Sequence, residues 1–301
     1  MVSQIPPIDV SVCIVSWNVW EDLRACLASL FDADNQVSFE VIVVDNASSD
    51  GTASQLPAEF PQIKLIANQE NRGFAAACNQ AIAASRGRYC FLLNPDTIVP
   101  EGGLDELLRF ADDHPQAGVI GPKLVYPDGS LQYSCRRFPT VSAAIFRGTF
   151  LEPLIPGAKS VRYYLMSDWD HGQVRQVDWV SGAAMLIRRE LIDDIGLLDE
   201  RFFWGSEDVD FCLRAHQANW EVVYTPRPEI IHAVGRSAQQ AELKTLLHTH
   251  RSMYRLYSKH WSRWLGSRWL IWLGVWLRAT VLMGQWLVRR LFSGSGRGSN
   301  Q

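Results

Sequence analysis

The sequence predicts an α/β fold, with a mainly parallel sheet flanked by helices. Three observations carry this expectation. Apolar runs of strand length recur along the first third of the chain. Between them lie segments whose apolar residues repeat at i, i+3, i+4 and i+7, the stripe of an amphipathic helix. Two of the runs lead into acids, Asp45 and Asp96. In open α/β sheets the carboxyl edge of the strands is where ligands bind.

Each element follows in order. Val10 to Val15 reads as the first strand. Leu23, Cys26, Leu27, Leu30 and Phe31 then mark a helix. Phe39 to Val44 is the second strand, and Asn46 to Gly51 a turn leading into a short helix. Ile63 to Ile66 is a short third strand. Phe74, Ala77, Cys78, Ala81 and Ile82 repeat the helical spacing, and Tyr89 to Leu93 is the fourth strand. Leu104, Leu107, Leu108 and Ala111 mark a helix stopped by Pro115. This β-α-β alternation implies helices on both faces of the sheet. Residues 118–175 are less regular, with turns at Pro127-Asp128-Gly129 and Pro156-Gly157 and basic residues Arg136, Arg137 and Arg147. Val177 to Ile187 is apolar and partly strand. Val209, Cys212, Leu213 and His216 mark a further helix, and Glu221 to Tyr224 a late strand.

Bulk composition bounds the function. The 301 residues suffice for one large domain or two small ones. Hydrophobic residues make up 47% and charged residues 20%, which fits a globular chain with a substantial core. A net charge of −3 gives no reason to expect nucleic acid as partner. The 6 cysteines contain no C-x-x-C pair and read as small core residues in a reducing compartment. Met1 to Pro7 lacks the basic start and apolar stretch of a secretory signal, so a cytoplasmic location is expected.

Asp45 alone reads first as a turn aspartate bonding its own backbone, ahead of any functional role. Asp96, in Asn94-Pro95-Asp96, has the same simple explanation. At the ends of two strands together, they favour a nucleotide site, where a carboxylate can hold a divalent cation against a diphosphate or accept a hydroxyl. Asn71-Arg72-Gly73 precedes an alanine-rich helix. Gly73 permits close backbone approach, Arg72 offers a forked cation, and a helix N-terminus attracts phosphate. The segment is equally an ordinary helix entry. Neither G-x-G-x-x-G after the first strand nor a G-x-x-x-x-G-K-[ST] loop occurs, which argues against a nicotinamide dehydrogenase and a P-loop ATPase. Ser16-Trp17-Asn18 likewise lacks the Gly/Arg/Lys-rich loop that a nucleotidyltransferase requires after that strand.

Trp204-Gly205-Ser206-Glu207-Asp208 sets acids beside an aromatic. One reading is a helix start, with Ser206 as N-cap and acids favoured by the helix dipole. The other is a general base that deprotonates an acceptor hydroxyl. His232, after the late strand, is either structural or a further ligand of a metal site begun by Asp96.

The last 41 residues hold six of the 12 tryptophans. Trp269 to Val288 is long enough to span a bilayer but carries Arg278 in its middle. On a helical wheel Arg263, Ser267, Gly274, Arg278, Gln285 and Arg289 fall within an arc of about 80°. A basic stripe on a Trp/Leu-rich helix suits an anionic membrane surface, so interfacial attachment is expected ahead of spanning. Ser293 to Gln301 is Gly/Ser-rich and expected to be disordered.

With these residues in place, the chain resembles a family 2 glycosyltransferase of the Rossmann-like GT-A fold, in the rhamnosyltransferase-like branch. The segments that carry the resemblance are Val12 to Asn18, Val43 to Gly51, Asn71 to Asn79, Leu92 to Asp96, Val180 to Ala183 and Gly196 to Phe203, leading into Glu207-Asp208. The resemblance implies a domain over 1–240, with a nucleotide-sugar-binding half at 8–115 and an acceptor-binding, catalytic half at 116–240. A helical membrane-associating segment at 241–292 and a tail at 293–301 follow.

The resemblance also implies roles. Ser16, Asn18, Asp45, Asn71, Arg72, Gly73 and Asp96 would bind the nucleotide sugar. Asp96 and His232 would face a divalent metal, Mn²⁺ or Mg²⁺. Gly182 and Trp204 would line the acceptor. Asp208 would be the base of an inverting transfer, with Glu207 the alternative. Asn94 stands where the family's D-x-D motif has its first acid, leaving one carboxylate fewer at the metal. The reaction so implied moves a sugar, rhamnose from dTDP-rhamnose, to a cell-surface polysaccharide or lipid-linked glycan at the cytoplasmic face of the inner membrane. The rival reading is a non-catalytic, membrane-associated nucleotide-sugar-binding or scaffold protein, favoured only by Asn94.

Overall fold

The structure is a computed structural model and describes residues 8–139, 158–233, 242–262 and 265–294. The expectations for Met1 to Pro7, Arg147, the Pro156-Gly157 turn, Arg263 and the end of the tail lie outside these residues. The first half alternates β1 (Val10–Ser16), α1 (Trp20–Phe31), β2 (Phe39–Asp45), α2 (Thr52–Glu59), β3 (Lys64–Ala67), α3 (Phe74–Ala84) and β4 (Tyr89–Leu93). β5 (Thr97–Ile98), α4 (Gly103–Asp113) and β6 (Ala117–Val125) continue it. β1, β2, β3 and β4 run parallel, in the order β3-β2-β1-β4. Every strand expected in this half is present, to within a residue or two at its ends.

The region from 118 onward is more ordered than its sequence suggests. It contains β6, β7 (Leu131–Gln132), β8 (Cys135–Arg136), α5 (Ala158–Leu165), β9 (Arg175–Gln176), β10 (Trp179–Val180), β11 (Ala184–Arg188) and α6 (Arg189–Ile195). β6 carries Gly118, Gly121 and Pro122, which obscure a strand signal. A Cβ on Gly121 would stand 2.6 Å from the Val180 side chain, and one on Gly118 3.0 Å from Leu191 and Trp220. The glycines let β10, α6 and Trp220 pack directly on the strand.

α7 (Glu207–Gln217) and β12 (Glu221–His232) complete the sheet. β12 is far longer than its apolar start, and its register against β6 shifts between Thr225 and Glu229, around Pro226 and Pro228. The full order is β3-β2-β1-β4-β11-β6-β12-β5. β11 lies antiparallel between β4 and β6, while β12 runs parallel to β6. Two consequences place the site. β1, β2, β4 and β12 all end on one edge, and β11 begins there. The pairing His232↔Thr97 then fastens the end of β12 beside the Asn94-Pro95-Asp96 turn.

Side chains alternate across the sheet. Val10, Val12 and Ile14 pack with α1, α2 and α4 on one face, whereas Cys13 packs with α3, α6 and α7 on the other. All six cysteines are buried thiols.

α8 (Glu242–His260) and α9 (Leu265–Gly294) form a helical pair. α9 continues through Ser293 and Gly294, residues expected to be disordered. Its Gly266–Val288 stretch is long and apolar enough to cross a membrane. The direction of its polar stripe differs from expectation. Arg278 turns onto α8 and donates from Nη1 to Nε2 of buried His250 at 2.7 Å. His250 Nδ1 donates to the Leu246 carbonyl, and burial holds the imidazole below its ordinary pKa, so Nε2 is free to accept. Val275 and Ala279 are buried on the same side. The face left exposed is apolar, with Trp269, Leu270, Leu273, Leu277, Leu287 and Val288 each at least half exposed.

Candidate active site

The candidate residues lie along one chain of contacts on the carboxyl edge of the sheet. It begins where β1 and β2 end. Ser16 pairs with Asp45 in the ladder, and the Asn46 amide donates to the Ser16 carbonyl at 2.8 Å. Both Ser16 and Asp45 are buried. Asp45 Oδ2 accepts from the Ser48 amide at 3.3 Å, while Asp45 Oδ1 and Ser16 Oγ have no partner among the described residues. Burial pushes the Asp45 carboxyl above its ordinary pKa, against the pull of the Ser48 bonds. Two buried, orphaned oxygens side by side fit a ligand that brings hydroxyl or imide donors.

Asn18 holds a left-handed backbone, φ 53°, which asparagine tolerates better than most residues. Its Oδ1 accepts from the Ser49 amide at 2.6 Å, and its own amide donates to Ser48 Oγ. Asp50 fastens the same loop to α1 by accepting from the Trp20 amide.

Asn46 is the junction that the sequence did not single out. Its Nδ2 donates to Asn71 Oδ1 and the Gly73 carbonyl, and its Oδ1 accepts from the Arg72 amide and Asn68 Nδ2. Asn71 Oδ1 also accepts from the Gly73 amide, so Asn71 shapes the loop that presents Arg72. The Arg72 side chain is exposed. At Gly73 the close backbone approach is to protein. Its φ of 86° and ψ of 167° lie in territory open essentially to glycine alone. A Cβ there would stand 2.8 Å from the Phe203 carbonyl oxygen. That carbonyl accepts from the Phe74 amide at 2.8 Å, so the first amide of α3 is already used.

Phe203 leads into the second half of the rim. The Trp204 ring meets the Phe74 ring edge-on at 6.2 Å. Ser206 occupies the N-cap position of α7, as the helix-start reading has it, but with a left-handed φ of 75° and no side-chain cap. The acids themselves differ. Glu207 is buried and its Oε2 has no partner among the described residues. Burial, then the neighbouring Asp208 charge, raises its pKa well above the ordinary value. Asp208 is partly exposed. Its Oδ2 accepts from the Gly182 amide at 3.2 Å and its Oδ1 from the Val209 amide at 2.8 Å. Burial raises its pKa too, moderated by those two amides and the charge of Arg136. A carboxylate that is oriented and reachable, and made more basic by its surroundings, has the properties of a general base.

The rim closes at the Asn94-Pro95-Asp96 turn. The Asn94 amide donates to the Ala183 carbonyl at 2.8 Å, next to Gly182. Asp96 Oδ1 lies 3.3 Å from His232 Nε2, and Asn94 Nδ2 lies 3.3 Å from the same nitrogen. Buried Gln132 orients the imidazole. Its Nε2 donates to the His232 and Val125 carbonyls, so its Oε1 is the acceptor that faces His232 Nδ1 at 3.0 Å. Nδ1 therefore donates to Gln132, and in the neutral imidazole Nε2 is an acceptor within 3.3 Å of both Asn94 Nδ2 and Asp96 Oδ1. In that form Nε2 and Asp96 Oδ1 are neighbouring electron-pair donors, 3.3 Å apart, of the kind that can share a divalent cation. An outer amide fixing the other ring nitrogen is the usual support of a metal-bound histidine. No cluster of three or more His, Cys, Asp or Glu suited to a metal occurs among the described residues. Two protein ligands, completed by diphosphate oxygens and water, suit Mg²⁺ or Mn²⁺.

The structure thus joins Ser16, Asp45, Asn71 and Gly73 to Trp204, Asp208 and Gly182, and these to Asp96 and His232. Asn46, Gln132 and Phe203 are the residues that join them.

Comparison with known proteins agrees with this geometry. The family described as Glycosyl transferase family 2 matches residues 11–196. The chain is 31% identical over 267 residues to the N-acetylglucosaminyl-diphospho-decaprenol L-rhamnosyltransferase of Mycobacterium tuberculosis, covering 84% of this chain and 85% of that protein. It is 24% identical to the low-salt glycan biosynthesis hexosyltransferase Agl10 of Haloferax volcanii, over 94% of this chain and 84% of that one. Among solved structures, a mannosyltransferase from Pyrobaculum calidifontis in complex with GDP-Man and Mn²⁺ aligns with a TM-score of 0.57 at 17% identity, covering 98% of this chain and 81% of that one. GalNAc-T7 with UDP, GalNAc and Mn²⁺ aligns at 0.61 and 16%, covering 86% and 49%. Identities this low speak to the shared GT-A fold. The mixed sheet, the acids along its carboxyl edge and the match over most of its length place the chain in glycosyl transferase family 2.

Proposed function

We propose that this glycosyltransferase moves rhamnose from dTDP-rhamnose to a hydroxyl of a lipid-linked glycan precursor, by a single inverting displacement. The observation that carries the mechanism is Asp208, a partly exposed carboxylate held by the Gly182 amide on the same rim as Asp45 and Asp96. The donor's nucleoside enters at the ends of β1 and β2, where Ser16 and Asp45 accept its donors and Asn18 borders the pocket. Arg72 faces the diphosphate. The acceptor sugar lies against Trp204 and Gly182. Asp208 takes the proton of its hydroxyl as that oxygen bonds to the anomeric carbon. The bond from that carbon to the diphosphate breaks on the opposite side, and nucleoside diphosphate leaves. Asp96 and His232 would hold a divalent cation, which supplies positive charge to the diphosphate.

Glu207 is the weaker candidate for the base, because its carboxyl is buried away from an acceptor, and that burial raises its pKa well above the ordinary value. The choice of rhamnose and of a lipid-linked acceptor rests on the 31% identical mycobacterial enzyme. The exposed Trp/Leu face of α9 supports peripheral attachment at the cytoplasmic face of the inner membrane.

A thermal-shift panel of UDP-, GDP- and dTDP-sugars, each with Mn²⁺, Mg²⁺ or EDTA, tests the donor site. A ligand at a hundredfold excess over its Kd stabilises by about 2.7 kcal/mol. The expected result is a metal-dependent rise with dTDP-rhamnose that Asp45→Asn abolishes. A rise confined to another nucleotide would overturn the donor. No rise with any nucleotide would favour the scaffold form of the non-catalytic reading, or a donor that binds only after the acceptor.

A further inference from the structure

We propose that a cleft between α5 and the β9–β10 segment binds the diphosphate of an isoprenoid-linked acceptor, through Arg137 and Arg175. The inference rests on the lipid-linked acceptor proposed above. The cleft has a volume of about 210 Å³ and is lined by Arg137, Tyr163, Arg175, Gln176 and Asp178, among others. Neither arginine makes an ion pair or side-chain hydrogen bond among the described residues. Each instead lies against an aromatic ring. The Arg137 guanidinium is 3.9 Å from the Tyr163 centroid, and that of Arg175 is 5.0 Å from Trp169. Stacking fixes a guanidinium plane while leaving its N–H edge to a ligand, and the fork of donors matches phosphate oxygens. The lining carboxylate, Asp178, accepts the Phe138 amide at Oδ2, 2.6 Å, and is outnumbered in the lining by the two arginines.

The position of the cleft selects the ligand. Asp178 lies four residues before Gly182, whose amide holds Asp208, a span of at most roughly 14 Å. Arg136 lies between cleft and base. It pairs with Trp179 in the β8–β10 ladder, and its guanidinium stacks on the rings of Trp179 and Tyr164. On the other side the next residues meet α8. Phe138 packs edge-on against Trp261, and Tyr257 Oη donates to the Pro139 carbonyl. α8 packs against α9, whose apolar face is exposed. The cationic cleft therefore stands between the base and the lipid-seeking helices. A sugar with its hydroxyl at Asp208 can extend its diphosphate to the arginines and its isoprenoid toward α9.

Binding of farnesyl diphosphate to the full-length protein tests this, by calorimetry in EDTA, for wild type, R137Q/R175Q and D45N. Wild type should bind. The arginine double variant should bind roughly tenfold to a hundredfold more weakly, and D45N like wild type. Co-sedimentation with phosphatidylglycerol vesicles should be equal for wild type and R137Q/R175Q. An unchanged thermal midpoint and far-ultraviolet spectrum establish that the double variant is folded, and R137K/R175K, which keeps the charge, should recover part of the affinity. Three results would overturn the proposal: no binding by wild type; loss in D45N but not in R137Q/R175Q, which places the diphosphate in the donor site; or loss of vesicle binding in R137Q/R175Q, which makes the cleft a phospholipid site. If farnesyl diphosphate binds through the arginines but no sugar is transferred to a diphosphate-linked acceptor, the cleft stands and the proposed function falls.

Discussion

Gly73→Ala tests how the two halves of the site are held together. At φ 86° and ψ 167° an alanine is strained by about 1–3 kcal/mol. Its Cβ would also lie 2.7 Å from Phe203 Cδ2 and 2.8 Å from the Phe203 carbonyl oxygen. The ring can turn, but the carbonyl is backbone and accepts from the Phe74 amide. Relieving the contact moves the segment that leads into Glu207 and Asp208, at a further cost of about 1–3 kcal/mol. The total is about 2–6 kcal/mol. Gly102→Ala is the control. Its φ of 67° is also left-handed, but a Cβ there meets nothing within 4 Å. It should cost only the strain, about 1–2 kcal/mol. Urea denaturation of both variants gives the difference, and transfer rates show whether Asp208 has moved. G73A should be the less stable and should lose turnover beyond what its folded fraction explains. Equal losses of stability, with G73A as active as G102A, would refute the idea that the Gly73–Phe203 contact couples the halves.

Three other outcomes are expected. Because burial raises the Glu207 pKa above its ordinary 4.5, the folded state holds a proton that the unfolded state releases, so this group's contribution to stability falls as pH rises. Glutamine has no proton to lose, so urea denaturation of Glu207→Gln should show a shallower loss of stability than wild type as pH rises above the ordinary glutamate value of 4.5; parallel curves would mean that Glu207 is ionised in the fold. Gln132→Leu removes the partner of His232 Nδ1 and should raise the Mn²⁺ concentration for half-maximal transfer by about 10–100-fold, while an unchanged metal titration would remove His232 from the cation site. Trp269→Glu with Leu273→Glu should abolish co-sedimentation with anionic vesicles, and full retention would move the membrane contact off α9.

What was legible in the sequence follows from where the signal resides. Val10 to Val15 and Tyr89 to Leu93 are strands buried on both faces, so their local composition is enough. Asp45, Asp96 and Asp208 stand out because each is an acid just after an apolar run or at a helix start. β6 was hidden because Gly118 and Gly121 answer to Trp220, Leu191 and Val180, partners distant in sequence. Gln132 was illegible for the same reason, since its partner His232 lies 100 residues on. Asn46 was in view beside Asp45, yet its work is to hold a loop 25 residues away. The polar arc of α9 was readable as an arc, but only His250 on α8 shows which way it faces. Periodicity reports that a face exists, and packing decides what covers it.

The most direct test of the central claim is transfer by Asp208→Asn, with donor affinity and the anomeric configuration of the product measured alongside. Asparagine keeps the shape but cannot take the acceptor proton. Turnover should fall about 10²–10⁴-fold. The variant should still bind donor, and the wild-type product should carry the anomeric configuration opposite to the donor's. Near-full turnover by folded Asp208→Asn, or a wild-type product that retains the donor's configuration, would contradict the account.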